Sequence, residues 1–158
     1  MPKPLCSGLV EGGHLKMSKQ MDLILLNRES EIARLQDQLE ALARQHGLPT
    51  KVLHEIQLAV EEHLTNILLY AYADEFEHQI HVQLRLGTDD VWIQVEDDGR
   101  PFNPLDFPAP DLSAPLEQRP IGGLGIHMIR KSMDRIEYRR DDGKNVLVMT
   151  KQIKAPIP

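Results

Sequence analysis

The sequence is poor in the features that mark secreted and membrane-bound proteins. It has one cysteine in 158 residues, Cys6, so no intrachain disulfide can form and a reducing compartment is favoured. The longest aliphatic run, from Leu23 to Leu26, is far too short to span a bilayer. Residues 1–16 lack the long apolar segment of a signal peptide. We therefore expect a cytoplasmic protein without a membrane partner.

Positive charge is also scarce. The chain carries 18 Lys and Arg against 24 Asp and Glu, a formal net charge of -6. Proteins that bind nucleic acid through phosphate contacts need a basic surface, so direct nucleic-acid binding is not expected. One local group of basic residues is interpreted as solvated helix and strand faces: Arg130, Lys131, Arg135, Arg139 and Arg140.

Several common catalytic motifs are missing from the sequence. It contains no Walker A pattern and no G-x-S-x-G elbow. The stretch "HEIQL" at 54–58 lacks the second histidine of the zinc motif HExxH. P-loop, serine-hydrolase and zinc-peptidase chemistry are therefore not indicated.

The pattern of apolar residues predicts one domain over residues 17–154, after a disordered leader at 1–16. We expect an α+β fold, a two-layer α/β sandwich in which helices cover one face of a mixed, mostly antiparallel sheet. The expected strands are 21–26 (buried), 78–86, 91–97, 135–140 and 145–153, and the expected helices 28–47, 50–71 and 123–133. Between the third strand and the third helix, residues 101–120 contain six prolines, which exclude a regular helix or central strand and indicate a functional or disordered loop.

One pair of polar residues on the second predicted helix has catalytic potential. Glu62 and Asn66 are four positions apart and share one helix face. A carboxylate there could accept a proton from a hydroxyl, and an amide oxygen suits Mg²⁺. The alternative is an ordinary surface pair on an amphipathic helix.

Two glycine motifs could help to bind a ligand. Asp97 closes a predicted strand, where a carboxylate can accept a hydrogen bond from a ligand amino group, and Gly99 allows close backbone approach. Gly123 and Gly125 open the third helix, whose N-terminus suits phosphate. The alternatives are an acidic turn and a flexible hinge.

The order of these motifs resembles the GHKL (Bergerat-fold, histidine-kinase-like) ATPases, and within them the RsbW-type anti-sigma-factor serine protein kinases. The resemblance runs from about Met21 to Ile153. It is carried by three stretches, "AVEEHLTNILLYAY", "VEDDGRPFNP" and "GGLGIHMIRKSMD". These are similar to the N-box and to the first and second glycine boxes of that family.

The resemblance implies ATP and Mg²⁺ as cofactors, with Asn66 binding Mg²⁺ and thereby the phosphates. Glu62 would act as the general base toward a substrate serine. Asp97 would hydrogen-bond the adenine amino group, with Gly99 beneath the base. The segment 103–121 would form the ATP lid.

The resemblance also implies contacts around the phosphates. Gly123, Leu124 and Gly125 would surround them, and Arg119 is the nearest candidate for an arginine at the γ-phosphate. The sequence departs from the family pattern at Ile121, which replaces a glycine, and at Tyr70, where a histidine is expected.

In family terms, the chain would phosphorylate a serine of a STAS-domain anti-anti-sigma protein and bind a sigma factor, and it could form a homodimer. A second hypothesis is an ATP-gated binding module with weak catalysis, which the two departures motivate. A third is a domain that donates phosphate to a histidine or aspartate of a partner.

Overall fold

A computed structural model describes residues 19–108, 111–118 and 123–153. The expected leader at 1–16 lies outside these residues. In chain order, the regular elements are β1 (Gln20–Leu26), α1 (Glu29–His46), α2 (Thr50–Tyr70), β2 (Gln79–Leu86), β3 (Asp90–Asp97), α3 (Gly123–Ser132), β4 (Arg135–Asp141) and β5 (Lys144–Gln152). This order is the predicted one, and no boundary differs by more than one residue.

The strands form one sheet of five in the described part of the chain, in the order β1-β2-β3-β5-β4. All four pairings are antiparallel, so the sheet has no parallel pair among these residues, although we expected a mixed one. The α+β class is confirmed.

The core lies between one face of the sheet and the helices. Alternate residues of β2 and β3 point toward the helices, and α2 meets them with its apolar stripe. The fully buried side chains of this layer include Ile56, Val60, Leu64, Ile80, Val82, Val91, Ile93 and Leu147. The strand period of two and the helical period in the sequence therefore lead to one shared core.

The first strand is correctly located but is not buried as predicted. Among the described residues β1 pairs with β2 alone, so it is an edge strand. Leu25 is fully buried, whereas Ile24 is 53% exposed. The continuous apolar run suggested burial on both faces, but an edge strand beside a one-sided core buries only one of them.

The opposite edge of the sheet is strongly charged. Five of the seven residues of β4, "RIEYRRD", are charged. Its neighbour β5 is the most buried strand, because Val146 and Val148 are buried on the face away from the helices while Leu147 and Met149 pack in the core.

The proline-rich loop contains two short 3₁₀ turns, Pro104–Asp106 and Leu116–Gln118, where we expected no helix. Proline opens the first turn, a position that needs no N–H donor. The Asn103 side chain accepts a hydrogen bond from the Leu105 N–H at 2.9 Å. Arg130 of α3 donates to the Leu105 carbonyl at 2.6 Å, which holds the start of the loop against the third helix.

Truncation of one core side chain measures the coupling of α2 to the sheet. We expect Leu64→Ala to lower the free energy of unfolding by about 2–5 kcal/mol, since Leu64 is fully buried and leaves a cavity. Leu69→Ala, on the same helix but 63% exposed, is the control and should change it by less than about 0.5 kcal/mol. Urea denaturation measures both, and equal effects would contradict the described packing.

Candidate functional site

A cavity opens where the C-terminal half of α2 faces the ends of β3 and β5. Its walls come from segments that are far apart in the sequence. The lining residues are His63, Asn66, Ile67, Tyr70, Ala71, Asp97, Phe102, Tyr138, Asn145 and Leu147. Two of the residues singled out from the sequence, Asn66 and Asp97, therefore meet in one cavity.

Asn66 is a buried polar residue, not the surface residue that the alternative interpretation required. It is 8% exposed, and among the described residues its Nδ2 has no hydrogen-bond partner. A buried amide without a partner is costly unless a ligand satisfies it. A half-turn of the amide presents its oxygen at the same place, which is a suitable ligand for a hard cation.

Glu62 lies one helical turn before Asn66 and reaches the first turn of α3. A Cβ atom at Gly125 would be 2.6 Å from Glu62 Oε2, so any side chain at residue 125 would displace this carboxylate from its position against α3. The N–H groups at a helix N-terminus have no partners within the helix and attract negative charge. A carboxylate and the N-terminal end of a helix are therefore neighbours, although Glu62 and Gly125 are 63 positions apart in the sequence.

Asp97 ends β3 as a buried carboxylate, 3% exposed. Its Oδ1 accepts hydrogen bonds from the Gly99 N–H at 2.9 Å and from Asn145 Nδ2 at 3.0 Å. Burial raises the pKa of Asp97, and these two hydrogen bonds oppose that rise. Both bonds end on Oδ1, and none from the described residues ends on Oδ2, which leaves that oxygen for a ligand donor.

Gly99 permits a close approach between the end of β3 and the end of α2. A Cβ atom at this position would be 2.5 Å from Ala71 Cβ and 2.9 Å from the Ala71 carbonyl oxygen. That carbonyl accepts a hydrogen bond from the Arg100 N–H at 2.9 Å. The same Cβ atom would be 2.8 Å from Asp97 Oδ1. Because the Ala71 methyl group and carbonyl oxygen cannot rotate away, any side chain at residue 99 would push helix and strand apart.

The loop after α2 is fixed on the other side of this junction. His78 lies 2.7 Å from Asp74 and 3.4 Å from Asp98, and its ring stacks on Tyr72 with centroids 3.9 Å apart. The hydrogen bond to Asp74 raises the pKa of His78. These contacts join the loop to the residue that follows Asp97.

Three residues of the β4–β5 hairpin belong to the site and were not singled out from the sequence. They are Tyr138, Arg140 and Asn145, and Asn145 contacts Asp97 directly. Arg140 is exposed, as its interpretation as a solvated strand residue requires, and it also donates to the Gly99 carbonyl at 2.8 Å. One feature of the sequence could have revealed Asn145: it is an amide on the same face of β5 as the buried residues Leu147 and Met149.

Some of the predicted site residues lie at or beyond the edge of the described chain. Gly123 begins α3. The described residues do not include Arg119, Ile121, the side chain of Leu124, or residues 109, 110 and 120. Tyr70, 40% exposed, lines the cavity. In the described ranges no group of three or more His, Cys, Asp and Glu could hold a metal ion.

His63 borders the cavity as a neutral histidine. It is 3% exposed, and burial lowers its pKa to about 4. As the pH falls, His63 is protonated near pH 6.5 in the unfolded chain but only near pH 4 in the folded chain. Its contribution to stability is therefore complete above pH 6.5 and is lost as the pH falls from 6.5 toward 4.

The free energy of unfolding should decrease between pH 7 and pH 5 by about 2 kcal/mol less in His63→Leu than in wild type. The reason is that residue 63 of this variant has no group to protonate. His54→Leu, which removes an exposed histidine from the same helix, is the control. Urea denaturation at the two pH values measures the difference. A pH dependence identical in wild type and His63→Leu would show that folding does not lower the pKa of His63.

No helix in the described ranges combines the length and the apolar composition needed to cross a membrane. Among solved structures, the fold is similar to a crystal structure of the RsbU and RsbW domains of a Mycobacterium tuberculosis protein. The TM-score is 0.60 at 15% sequence identity, over 87% of this chain and 33% of that longer chain. At this identity the similarity concerns the fold alone.

Sequence comparison gives more specific relatives. The serine/threonine-protein kinase BtrW of Bordetella bronchiseptica is 29% identical over 112 residues, covering 71% of this chain and 79% of that protein. The serine-protein kinase RsbW of Bacillus mycoides is 31% identical over 120 residues, covering 73% and 74%. The family model of the histidine kinase-like ATPase domain matches residues 25–151. The chain therefore belongs to the histidine kinase-like ATPase family and, within it, to the RsbW-type serine-protein kinases.

Proposed function

We propose that this protein is an ATP-dependent serine protein kinase that phosphorylates a STAS-domain partner and also binds a sigma factor. The observation that carries the proposal is the contact between Glu62 and the first turn of α3 at Gly125. Phosphoryl transfer to a serine needs a base for the hydroxyl proton beside a site that holds the phosphates. The names of the relatives, serine-protein kinases, support the same chemistry.

The base of the nucleotide would be recognised at Asp97. Its Oδ2 would accept a hydrogen bond from the adenine amino group, while Oδ1 stays bound to Gly99 and Asn145. The close approach at Gly99 brings the backbone of the β3 end to the wall of the cavity. A base with a carbonyl oxygen in place of the amino group would place that oxygen against Asp97 Oδ2, and two acceptors cannot form a hydrogen bond. The cavity would therefore favour adenine.

The phosphates would lie between Asn66 and the N-terminus of α3. When bound, ATP would supply the phosphoryl group, and Mg²⁺ would neutralise part of the negative charge of the phosphates. Asn66 fits as a ligand because its buried amide has no partner among the described residues. Glu62 would take the hydroxyl proton as the serine oxygen attacks the γ-phosphorus, and the bond from that phosphorus to the bridging oxygen would break to release ADP. The lid segment from Asn103 onward would exclude water.

The partner assignment rests on the family. A serine substrate on a STAS domain and a sigma factor as the second partner are what an RsbW-type kinase implies. Both ATP and sigma factors are cytoplasmic, so the proposal also implies that compartment. The alternative, an ATP-gated binding module, keeps the nucleotide site but has no transfer step, so one transfer assay separates the two.

The nucleotide site can be tested first by thermal melting. Saturating Mg·ATP at about 100 Kd stabilises a protein by roughly 2.7 kcal/mol, which should raise the wild-type Tm by about 5–10 °C. We expect Asp97→Ala to lose most of this shift, because the cavity then lacks the acceptor for the amino group. Asp98→Ala removes the adjacent, exposed carboxylate and should keep it. A full shift in Asp97→Ala would refute the role of Asp97.

The transfer step depends on Glu62. We expect Glu62→Gln to bind Mg·ATP within about threefold of wild type and to lose at least a hundredfold in phosphotransfer, in line with the usual contribution of a general base. The matched control is Glu61→Gln, an exposed neighbour whose carboxylate accepts a bond from Gln36.

The assay uses radiolabelled ATP and STAS-domain proteins of the same genome as acceptors. Acid-stable phosphoserine in the acceptor supports the proposal. An acid-labile product would favour transfer to histidine or aspartate, and nucleotide binding with no labelled acceptor would favour the binding module.

A further inference from the structure

Asn145 has more hydrogen bonds than any other side chain near the cavity. It is 5% exposed and lies at the start of β5, directly opposite Asp97 on β3 and next to Arg140 on β4. Its Nδ2 donates to Asp97 Oδ1 at 3.0 Å and to the Arg100 carbonyl at 2.9 Å. One amide therefore contacts both the end of the strand and the beginning of the loop that follows it.

The orientation of this amide is fixed from its other side. Asn145 Oδ1 accepts hydrogen bonds from the Tyr138 hydroxyl at 2.7 Å, from Arg140 Nη1 at 3.0 Å and from the Phe102 N–H at 3.2 Å. A rotated amide would place NH₂ against three donors and its oxygen against two acceptors. The NH₂ group must therefore face the Asp97 carboxylate.

This fixed donor restricts the Asp97 carboxylate. A carboxylate at a strand end can rotate about its terminal bond, since that torsion is soft. With Oδ1 bound by Asn145 Nδ2 and by the Gly99 N–H, only one orientation satisfies both donors, and it leaves Oδ2 for the ligand. Arg140, which also donates to the Gly99 carbonyl at 2.8 Å, holds the second of these donors in place.

We propose that Asn145 is a positioning residue for nucleotide selection, which orients the Asp97 carboxylate toward the adenine amino group and joins this orientation to the loop between β3 and the lid. The inference rests on the proposed ATP site. Asn145 does not contact the reacting atoms, so its effect on the base is exerted through Asp97, while its bonds to Arg100 and Phe102 connect the same amide to the loop that leads into the lid.

The inference predicts a loss of selectivity rather than a simple loss of stability. The full-length protein is titrated with Mg·ATP and with Mg·ITP, whose base has a carbonyl oxygen in place of the amino group. We expect Asn145→Ala to weaken Mg·ATP binding by about ten- to a hundredfold, as for a hydrogen bond to a charged group, and Mg·ITP binding by less than about threefold. The preference for ATP over ITP should fall toward one.

A stability-matched control separates positioning from folding. Val148→Ala truncates a buried side chain of the same strand on the other face of the sheet, so it should lower the Tm and keep the ATP preference. A double-mutant cycle gives the second readout. In an Asp97→Asn background, Asn145→Ala should change ATP affinity by less than about threefold, since the residue through which it acts has lost its charge.

Tyr138→Phe gives a milder variant in case Asn145→Ala does not fold. It removes one of the three donors to the Asn145 oxygen, and we expect the ATP preference to fall about threefold. The inference is overturned if folded Asn145→Ala keeps the wild-type preference for ATP over ITP. If Asn145→Ala does not fold, the same result in Tyr138→Phe overturns it. It is also overturned if Asn145→Ala lowers the affinity for Mg·ATP equally in the wild-type and Asp97→Asn backgrounds. Wild type that fails to bind Mg·ATP would instead overturn the proposed function, and this inference with it.

Discussion

The close packing of Gly99 against Ala71 is the constraint on which the rest of the site depends. It brings the end of β3 within van der Waals distance of the end of α2, and the Arg100 N–H bonds to the Ala71 carbonyl across the junction. At this separation Asp97 and Asn66, 31 positions apart in the chain, line the same cavity. A wider junction would separate the carboxylate from the amide and would leave both exposed to water.

A buried carboxylate makes that junction demanding. Burial raises the pKa of Asp97, so its ionised form needs hydrogen-bond donors that do not move away. The sheet supplies one of these donors by register, because Asn145 on β5 lies opposite Asp97 on β3, and Arg140 on β4 lies beside Asn145 and donates to its oxygen. The polar contacts in the core are thus concentrated at the place where a ligand needs one fixed acceptor, while the neighbouring His63 remains neutral.

Most of the fold and part of the site could be predicted from the sequence. Apolar patterns locate the three α-helices and five strands of the described residues, because burial imposes them, whereas the two 3₁₀ turns were not expected. Glu62, Asn66, Asp97 and Gly99 are recognisable because their motifs are local. Asn145 was missed because its contact with Asp97 depends on strand register, which no short stretch of sequence reveals. β1 was expected to be buried because a run of apolar residues does not reveal whether a strand lies at the edge.

The charged strand β4 has a further consequence for how the molecule behaves in concentrated solution. An edge strand exposes backbone donors and acceptors that can pair with another chain, and charged side chains along it oppose such aggregation. Arg140 belongs to this protective set and is also bound to the Gly99 carbonyl. Arg140 therefore contributes both to the charge that opposes aggregation and to the position of the Gly99 backbone. A substitution of Arg140 that changes one of these also changes the other.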